Sequence, residues 1–267
     1  MTKKIAFTFD KKKYFGVEGD TLASALIRNG IFLVGRSFKY HRPRGILSAG
    51  PEEPNALVQL ESGNFTEPNV KATEILLYEE LNAKSQNNWP NLKNDIGSIN
   101  NILSPFFPAG FYYKTFMWPP KFWEKYEYFI RHAAGLGKSP KEEDPHTYEH
   151  YHYHCDVLIV GGGISGMLAA SELLKVSNIK ILLVEQQPKL GGNSTEKEFE
   201  KLLDAHDIMF DDFYNYYYKK SISDVLQPNF KTINKNLKII TSTSLFAYMH
   251  NNYLLAVQNL NPMLEPN

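Results

Sequence analysis

Residues Asp156–Val160 (DVLIV) run directly into Gly161-Gly162-Gly163-Ile164-Ser165-Gly166, and few folds accommodate that succession. A short, uninterrupted apolar run bounded by a turn suits a parallel strand covered on both faces. The glycines match G-x-G-x-x-G, and each meets a different demand. Gly161 permits a tight turn, Gly163 leaves the backbone bare so that a pyrophosphate can approach, and Gly166 lets the next helix lie close to the strand. A helix over 164–176 aims its first amides and the positive end of its dipole at such a phosphate. Ile181–Val184 (ILLV) reads as the second strand, and Glu185 stands at its end. That acid follows the glycines by about 20 residues, the spacing of the group that takes up the ribose hydroxyls. A carboxylate there repels a 2′-phosphate, which favours NAD or FAD over NADP. A glycine triad alone is a weak signal; strand before, helix after and acid in step make it a strong one. The motif does not separate NAD from FAD, because both carry the ADP half being recognised. Gly191-Gly192 either let the chain pass close to the cofactor or form a simple turn.

At 267 residues the chain has room for about two domains. Apolar content of 43% supports real cores and argues against disorder. Lys+Arg and Asp+Glu are equal at 29 each, which removes any whole-chain electrostatic case for nucleic acid or an anionic membrane. A single cysteine, Cys155, excludes an internal disulfide, an all-cysteine iron–sulfur cluster and a cysteine-rich zinc site. The opening MTKKIAFTFDKKKYF lacks the apolar core of a signal peptide, and no window approaches a membrane span. The expectation is a soluble, cytoplasmic protein.

The N-terminal region reads as an α+β domain. Residues 4–9 (KIAFTF) alternate as a half-buried strand, Lys11–Lys13 turn, and Tyr14–Val17 return as a hairpin. Asp20 is placed to cap a helix over Thr21–Asn29, with Leu22, Ala25 and Leu26 on one face and Gly30 at the C-terminal cap. Ile31–Val34 and Ala56–Leu60 read as further strands. Hairpin, helix, then strands is the order of a β-grasp domain, assigned to residues 1–81. Residues 82–154 are first rich in Asn, Lys and Ser, and then carry twelve aromatic residues between Phe106 and Phe129, broken by Pro and Gly. Such a segment is too aromatic for water and too interrupted to form its own core, so it is expected to wrap another domain or subunit. Residues 155–267 form an incomplete Rossmann-type domain.

Other candidates have plainer readings. Arg36, Lys39, His41, Arg42 and Arg44 crowd one loop (GRSFKYHRPRG) that either grips a phosphate, a carboxylate or an acidic partner, or is solvated; Phe38 and Tyr40 argue for docking. His146, His150, His152 and His154 alternate like metal ligands, but they lie in a charged linker without a scaffold, so no metal site is assigned. Asp204, Asp207, Asp211 and Asp212 read as a solvated face. There is no Ser–His–Asp arrangement or P-loop, and no catalytic residue is assigned.

The run FTFDKKKYFGVEGDTLASALIRNGIFLVGRSFKYHRPRGILSAGPEEPNALVQL resembles the start of the alpha subunit of heterotetrameric sarcosine oxidase. So do SQNNWPNLKNDIGSINNILSPFFPAGFYYKTFMWPPKFWEKYEYFIRHAAGLG and HCDVLIVGGGISG, and more loosely ILLVEQQPKLGGN and NLKIITSTSLFAYMHNNYLLAV. The resemblance spans nearly the whole chain except about 196–234. It implies a family that oxidises sarcosine to glycine with O2, gives hydrogen peroxide and passes the one-carbon unit to tetrahydrofolate. It further implies a β-grasp domain related to [2Fe–2S] ferredoxins, an NAD-holding domain and a folate domain in the alpha subunit. Beta, gamma and delta subunits complete the complex, with FAD on the beta subunit and FMN near the alpha–beta interface. Carried over by position, Gly161, Gly162, Gly163, Ser165, Gly166, Glu185, Gln186, Gln187, Gly192, Asn193 and Leu245 surround NAD.

Departures from the family pattern also carry meaning. Gln186 stands where a second acid is usual, and Asn193 where Thr or Ser is usual. In the loop where cluster-binding relatives carry cysteines, this chain has Ser48, Pro51, Pro54 and Ala56, so the grasp domain is expected to be a cluster-free scaffold. Ending at Asn267, the chain is expected to be a truncated alpha subunit, inactive when isolated. Two alternatives stay open: a subunit of a related amine or opine dehydrogenase complex, and a non-catalytic assembly module with a vestigial nucleotide site.

Overall fold

The computed structural model describes residues 3–106, 118–133, 135–144, 147–176, 178–187, 190–192 and 235–258. Two units separate, Met1–Tyr148 and Glu149–Asn267.

In the first unit, β1 (Lys4–Phe9) and β2 (Lys12–Val17) pair antiparallel across Asp10-Lys11. Both turn residues have positive φ, the geometry that matches a two-residue hairpin to the twist of its strands. The chain then enters α1 (Leu22–Arg28), whose Leu22, Ala23, Ala25 and Leu26 are all buried. The cap is Thr21 rather than Asp20: its hydroxyl accepts from the Ser24 amide at 3.2 Å. Asp20 is one residue too early to cap, and instead accepts from the Val17 amide, the Ser24 hydroxyl and the Arg28 guanidinium.

Residues 31–34, expected as a strand, are not one; a two-residue ribbon follows, β3 (Gly35–Arg36) against β4 (Pro43–Arg44). Buried Val34 donates its amide to the Arg44 carbonyl, so that end of the segment is held locally without joining the main sheet. The remaining strands are β5 (Leu57–Leu60), β6 (Glu67–Lys71) and β7 (Leu81–Ser85). The sheet order is β2-β1-β7-β5-β6, with β7 parallel to β1 and antiparallel to β5. This is the β-grasp arrangement: a hairpin, a helix across it and a late strand threaded into the middle. Phe7, Phe9, Leu22, Leu26, Val58 and Leu81 form the centre of its core. Beyond β7 come α2 (Ile99–Ile102) and α3 (Trp123–Ala133). Of the aromatic segment, residues 107–117 lie outside the described residues, while Trp118, Trp123 and Tyr128 are exposed.

In the second unit, β8 (Val157–Val160) leads through the glycines to α4 (Ile164–Leu174) and on to β9 (Ile181–Val184). β10 (Leu237–Ile240) completes a parallel sheet of order β10-β9-β8 among the described residues. That order is one half of a Rossmann-type sheet. Ile181 and Leu183 face Met167 and Ala170 of α4, and Leu182 and Val184 face the opposite side with Ile240. Burial on both faces, expected of Asp156–Val160, belongs instead to β9, which is buried throughout while Val160 is 61% exposed. The reason is position: β9 is flanked on both sides, whereas β8 has one neighbour among the described residues. A hairpin of β11 (Thr243–Tyr248) and β12 (Leu254–Gln258) follows.

Candidate nucleotide-binding site

The site sits where β8 ends and α4 begins. Gly161 takes φ +99°, a conformation that L side chains rarely adopt, and its amide donates to the Val184 carbonyl at 2.8 Å. The turn therefore starts hydrogen-bonded to the end of β9. A Cβ on Gly166 would lie 1.9 Å from the Gly161 carbonyl oxygen, so α4 can approach the loop this closely only with glycine there. At Gly163 a Cβ would meet nothing within 4 Å. Gly163 is also the N-terminal cap of α4 and supplies no side-chain capping bond, and Ser165 in the first turn is exposed. A helix start has amides without intrahelical partners, and an uncapped one with open space beside it suits a phosphate.

Glu185 closes the other side. Its carboxylate is 6% exposed and accepts from the Gly162 amide at 2.5 Å and the Gln187 amide at 2.7 Å. One oxygen goes to each donor, so each retains a lone pair for a hydroxyl. The backbone around it is pinned to β10 and β11, with the Glu185 amide on the Ile240 carbonyl and the Thr243 amide on the Glu185 carbonyl, both at 2.9 Å. Gln187 also accepts from the Ser242 amide. Gln186 is exposed.

The second glycine pair pairs with the loop. The Gly191 amide donates to the Gly162 carbonyl at 2.9 Å, Gly163 and Gly191 form a parallel bridge, and a Cβ on Gly192 would reach the Gly163 Cα at 3.5 Å. Sequence reasoning overlooked Leu190. It is buried, and its Cδ2 lies 2.3 Å from where a Cβ on Gly162 would stand. The available signal was an apolar residue directly before a glycine pair. Leu245 does not join this cluster; it packs against Leu182, Val184 and Ile240 on the sheet face opposite α4. Asn193 lies outside the described residues.

The basic loop of the first unit is docked. Arg36 donates to the Leu92, Lys93 and His41 carbonyls, Arg42 to the Asn101 side chain, and His41 Nδ1 lies 2.6 Å from the buried Asp95 carboxylate. Arg42 and Lys39 both lie over the Tyr40 ring. Two of its cations therefore hold the segment 92–101 in place. Among the described residues no group of three or more His, Cys, Asp or Glu is placed to hold a metal ion. His146 lies outside them, as do Asp204, Asp207, Asp211 and Asp212. No helix among the described residues is long and apolar enough to cross a membrane.

Two family models match the chain. One, described as a 2Fe-2S iron-sulfur cluster binding domain, covers residues 2–88. The other, an NAD(P)-binding Rossmann-like domain, covers residues 159–227. Sarcosine oxidase subunit alpha from Rhizobium meliloti is 56% identical over 190 residues, which is 71% of this chain. This chain is a homologue of the sarcosine oxidase alpha subunit. The alpha subunit from Corynebacterium sp. (strain U-96) is 30% identical over 201 residues, or 74% of the chain. The matched stretches amount to 19% and 16% of the length of these two alpha subunits. The L-proline dehydrogenase of P. horikoshii aligns in structure at a TM-score of 0.45 and 19% identity, over 96% of this chain and 37% of that one.

Proposed function

We propose that this chain is the N-terminal, cofactor-binding and scaffolding part of the alpha subunit in a sarcosine oxidase-like complex, and that its second unit binds NAD. The observation that carries the cofactor assignment is the pairing of an uncapped helix start at Gly163 with a buried Glu185 carboxylate hydrogen-bonded to the same loop. On this reading the first-turn amides of α4 receive the pyrophosphate. Glu185 takes the adenosine ribose hydroxyls while its Gly162 and Gln187 contacts hold the carboxylate in one orientation. The same negative charge disfavours a 2′-phosphate. Ser165, Gln186, Gln187, Gly192 and Asn193 complete the surroundings of the nucleotide, and Leu245, packed on the sheet face opposite α4, is left out of them. The oxidation of sarcosine to glycine by O2, with peroxide release and transfer of the one-carbon unit to tetrahydrofolate, belongs to the assembled complex. FAD and FMN then reside on the beta subunit and at the alpha–beta interface, and no catalytic acid, base or nucleophile is required of this chain. The division into a grasp domain at 1–81, a wrapping segment at 82–154 and a nucleotide domain from 155 is part of the same proposal.

Calorimetric titration of the full chain tests it. NAD should bind with NADP weaker, and Glu185→Ala should weaken NAD roughly tenfold or more, the value of a hydrogen bond to a charged group. No binding signal at millimolar NAD would overturn the assignment in favour of a vestigial site.

A further inference from the structure

The matched family of the first unit is named for a [2Fe–2S] cluster, and the residues here do not fit one. Such clusters are held by four cysteines, or by two cysteines and two histidines. Residues 2–88 contain no cysteine and one histidine, His41, whose Nδ1 is bound to Asp95. What occupies the heart of the long loop between β4 and β5 is a carboxylate. Glu53 is 1% exposed, yet its side chain carries a charge that burial alone would expel.

Its partners explain how it stays. Oε2 accepts from the Leu47 amide at 2.7 Å and the Ser48 amide at 2.6 Å. Oε1 accepts from the Asn55 amide at 2.8 Å and the Ala56 amide at 3.2 Å. All four donors are backbone, two from each limb of the loop, so the carboxylate clasps the two limbs together. Subsidiary bonds shape the tip: the Glu53 amide returns to the Gly50 carbonyl, and the Thr73 hydroxyl reaches the same oxygen at 2.8 Å. The Lys71 ammonium donates to the Pro51 carbonyl. Convergent backbone amides are the feature by which protein loops hold phosphates and iron–sulfur centres alike.

We infer that the loop 46–56 is an anion nest whose anion is supplied from within. The Glu53 carboxylate organises it in place of a cluster, and the first unit therefore carries no electrons. The nest remains an oxyanion site in latent form: with Glu53 shortened, a small free carboxylate has four amides to enter.

Three measurements on the full chain test this. Anaerobic incubation with ferric iron and sulfide, followed by desalting, should leave no visible cluster absorption. Retention of about two irons per chain with the spectrum of a [2Fe–2S] centre would overturn the inference. Native-state amide exchange at Leu47, Ser48, Asn55 and Ala56 should accelerate roughly tenfold or more in Glu53→Gln, the factor that 1.4 kcal/mol represents, while the Ala25 amide inside α1 keeps its protection. Unchanged exchange at the four amides would refute the clasp. Should Glu53→Gln fail to fold, Glu53→Ala with added formate decides: saturable recovery of the folded signal, absent in the wild type, is expected. A variant that formate leaves untouched overturns the nest.

Discussion

At Gly162 the sequence offered a glycine inside a motif but no separate reason for it. The neighbouring glycines had legible tasks, because each concerns the backbone of the motif itself: Gly161 turns at positive φ, and Gly166 clears the Gly161 carbonyl oxygen. Gly162 answers to residues far along the chain, Leu190 and Glu185, whose side-chain atoms stand 2.3 and 3.2 Å from its absent Cβ. The distinction has a measurable consequence. A methyl group at Gly162 collides with the end of a flexible side chain, and overpacking of that kind costs about 1–3 kcal/mol. Gly162→Ala should therefore lower the urea midpoint, and Leu190→Ala should lower it through lost packing. The double variant should lose clearly less than the sum of the two, because each change relieves the other. Additive losses would show that the two residues do not share that space.

Among the elements, those with strong local patterns were legible. The β1–β2 hairpin, α1, β8, α4 and β9 were all expected, with no end shifted by more than two residues. β7 was not. Its sequence LNAKS buries Leu81, Ala83 and Ser85, only one of them a large apolar residue, yet it is the middle strand of the sheet. Its neighbours β1 and β5 supply the bulk that its own side chains lack, so no hydrophobic signal marks it. At the start of α1, Asp20 ties the hairpin to the helix. Burial pushes its carboxyl up, but the Arg28 guanidinium, the Val17 amide and the Ser24 hydroxyl outweigh this and hold it below the ordinary aspartate range. A value lower in the folded than in the unfolded state means stability that is complete above the ordinary range and lost as pH falls through the depressed value. Urea midpoints should accordingly fall more steeply below about pH 4 in the wild type than in Asp20→Asn, with the two curves meeting in acid. Parallel curves would remove Asp20 from the acid response.

The whole chain is balanced, with 29 basic and 29 acidic residues, so no net field directs it to a polyanion. What it offers instead is a grasp unit and a nucleotide-type sheet, in a chain spanning 19% of the Rhizobium meliloti alpha subunit. On the proposed reading, chemistry appears only with the assembly. Co-expression with the neighbouring genes, followed by pull-down on this chain, should recover partner subunits and a preparation that forms peroxide when sarcosine is added. The chain purified alone should form none. Sarcosine-dependent peroxide from the isolated chain would place the oxidising centre here and overturn the scaffold role.

The sequence by itself determined the strand–glycine–helix–strand unit, the position of Glu185 at the end of β9 and the lack of cysteine in residues 2–88. These rest on short-range spacing and on residue identity, which need no folding to be read. Tertiary structure alone decided which strand is buried on both faces, that the basic loop is docked through Arg36 and His41, and that Gly191 lies on the glycine loop. It also decided the role of Glu53, an unremarkable acid in the string PEEPN until four amides from two limbs of a loop converge on it. Backbone donors carry no letter in the sequence, and whether they meet depends on the path of the folded chain.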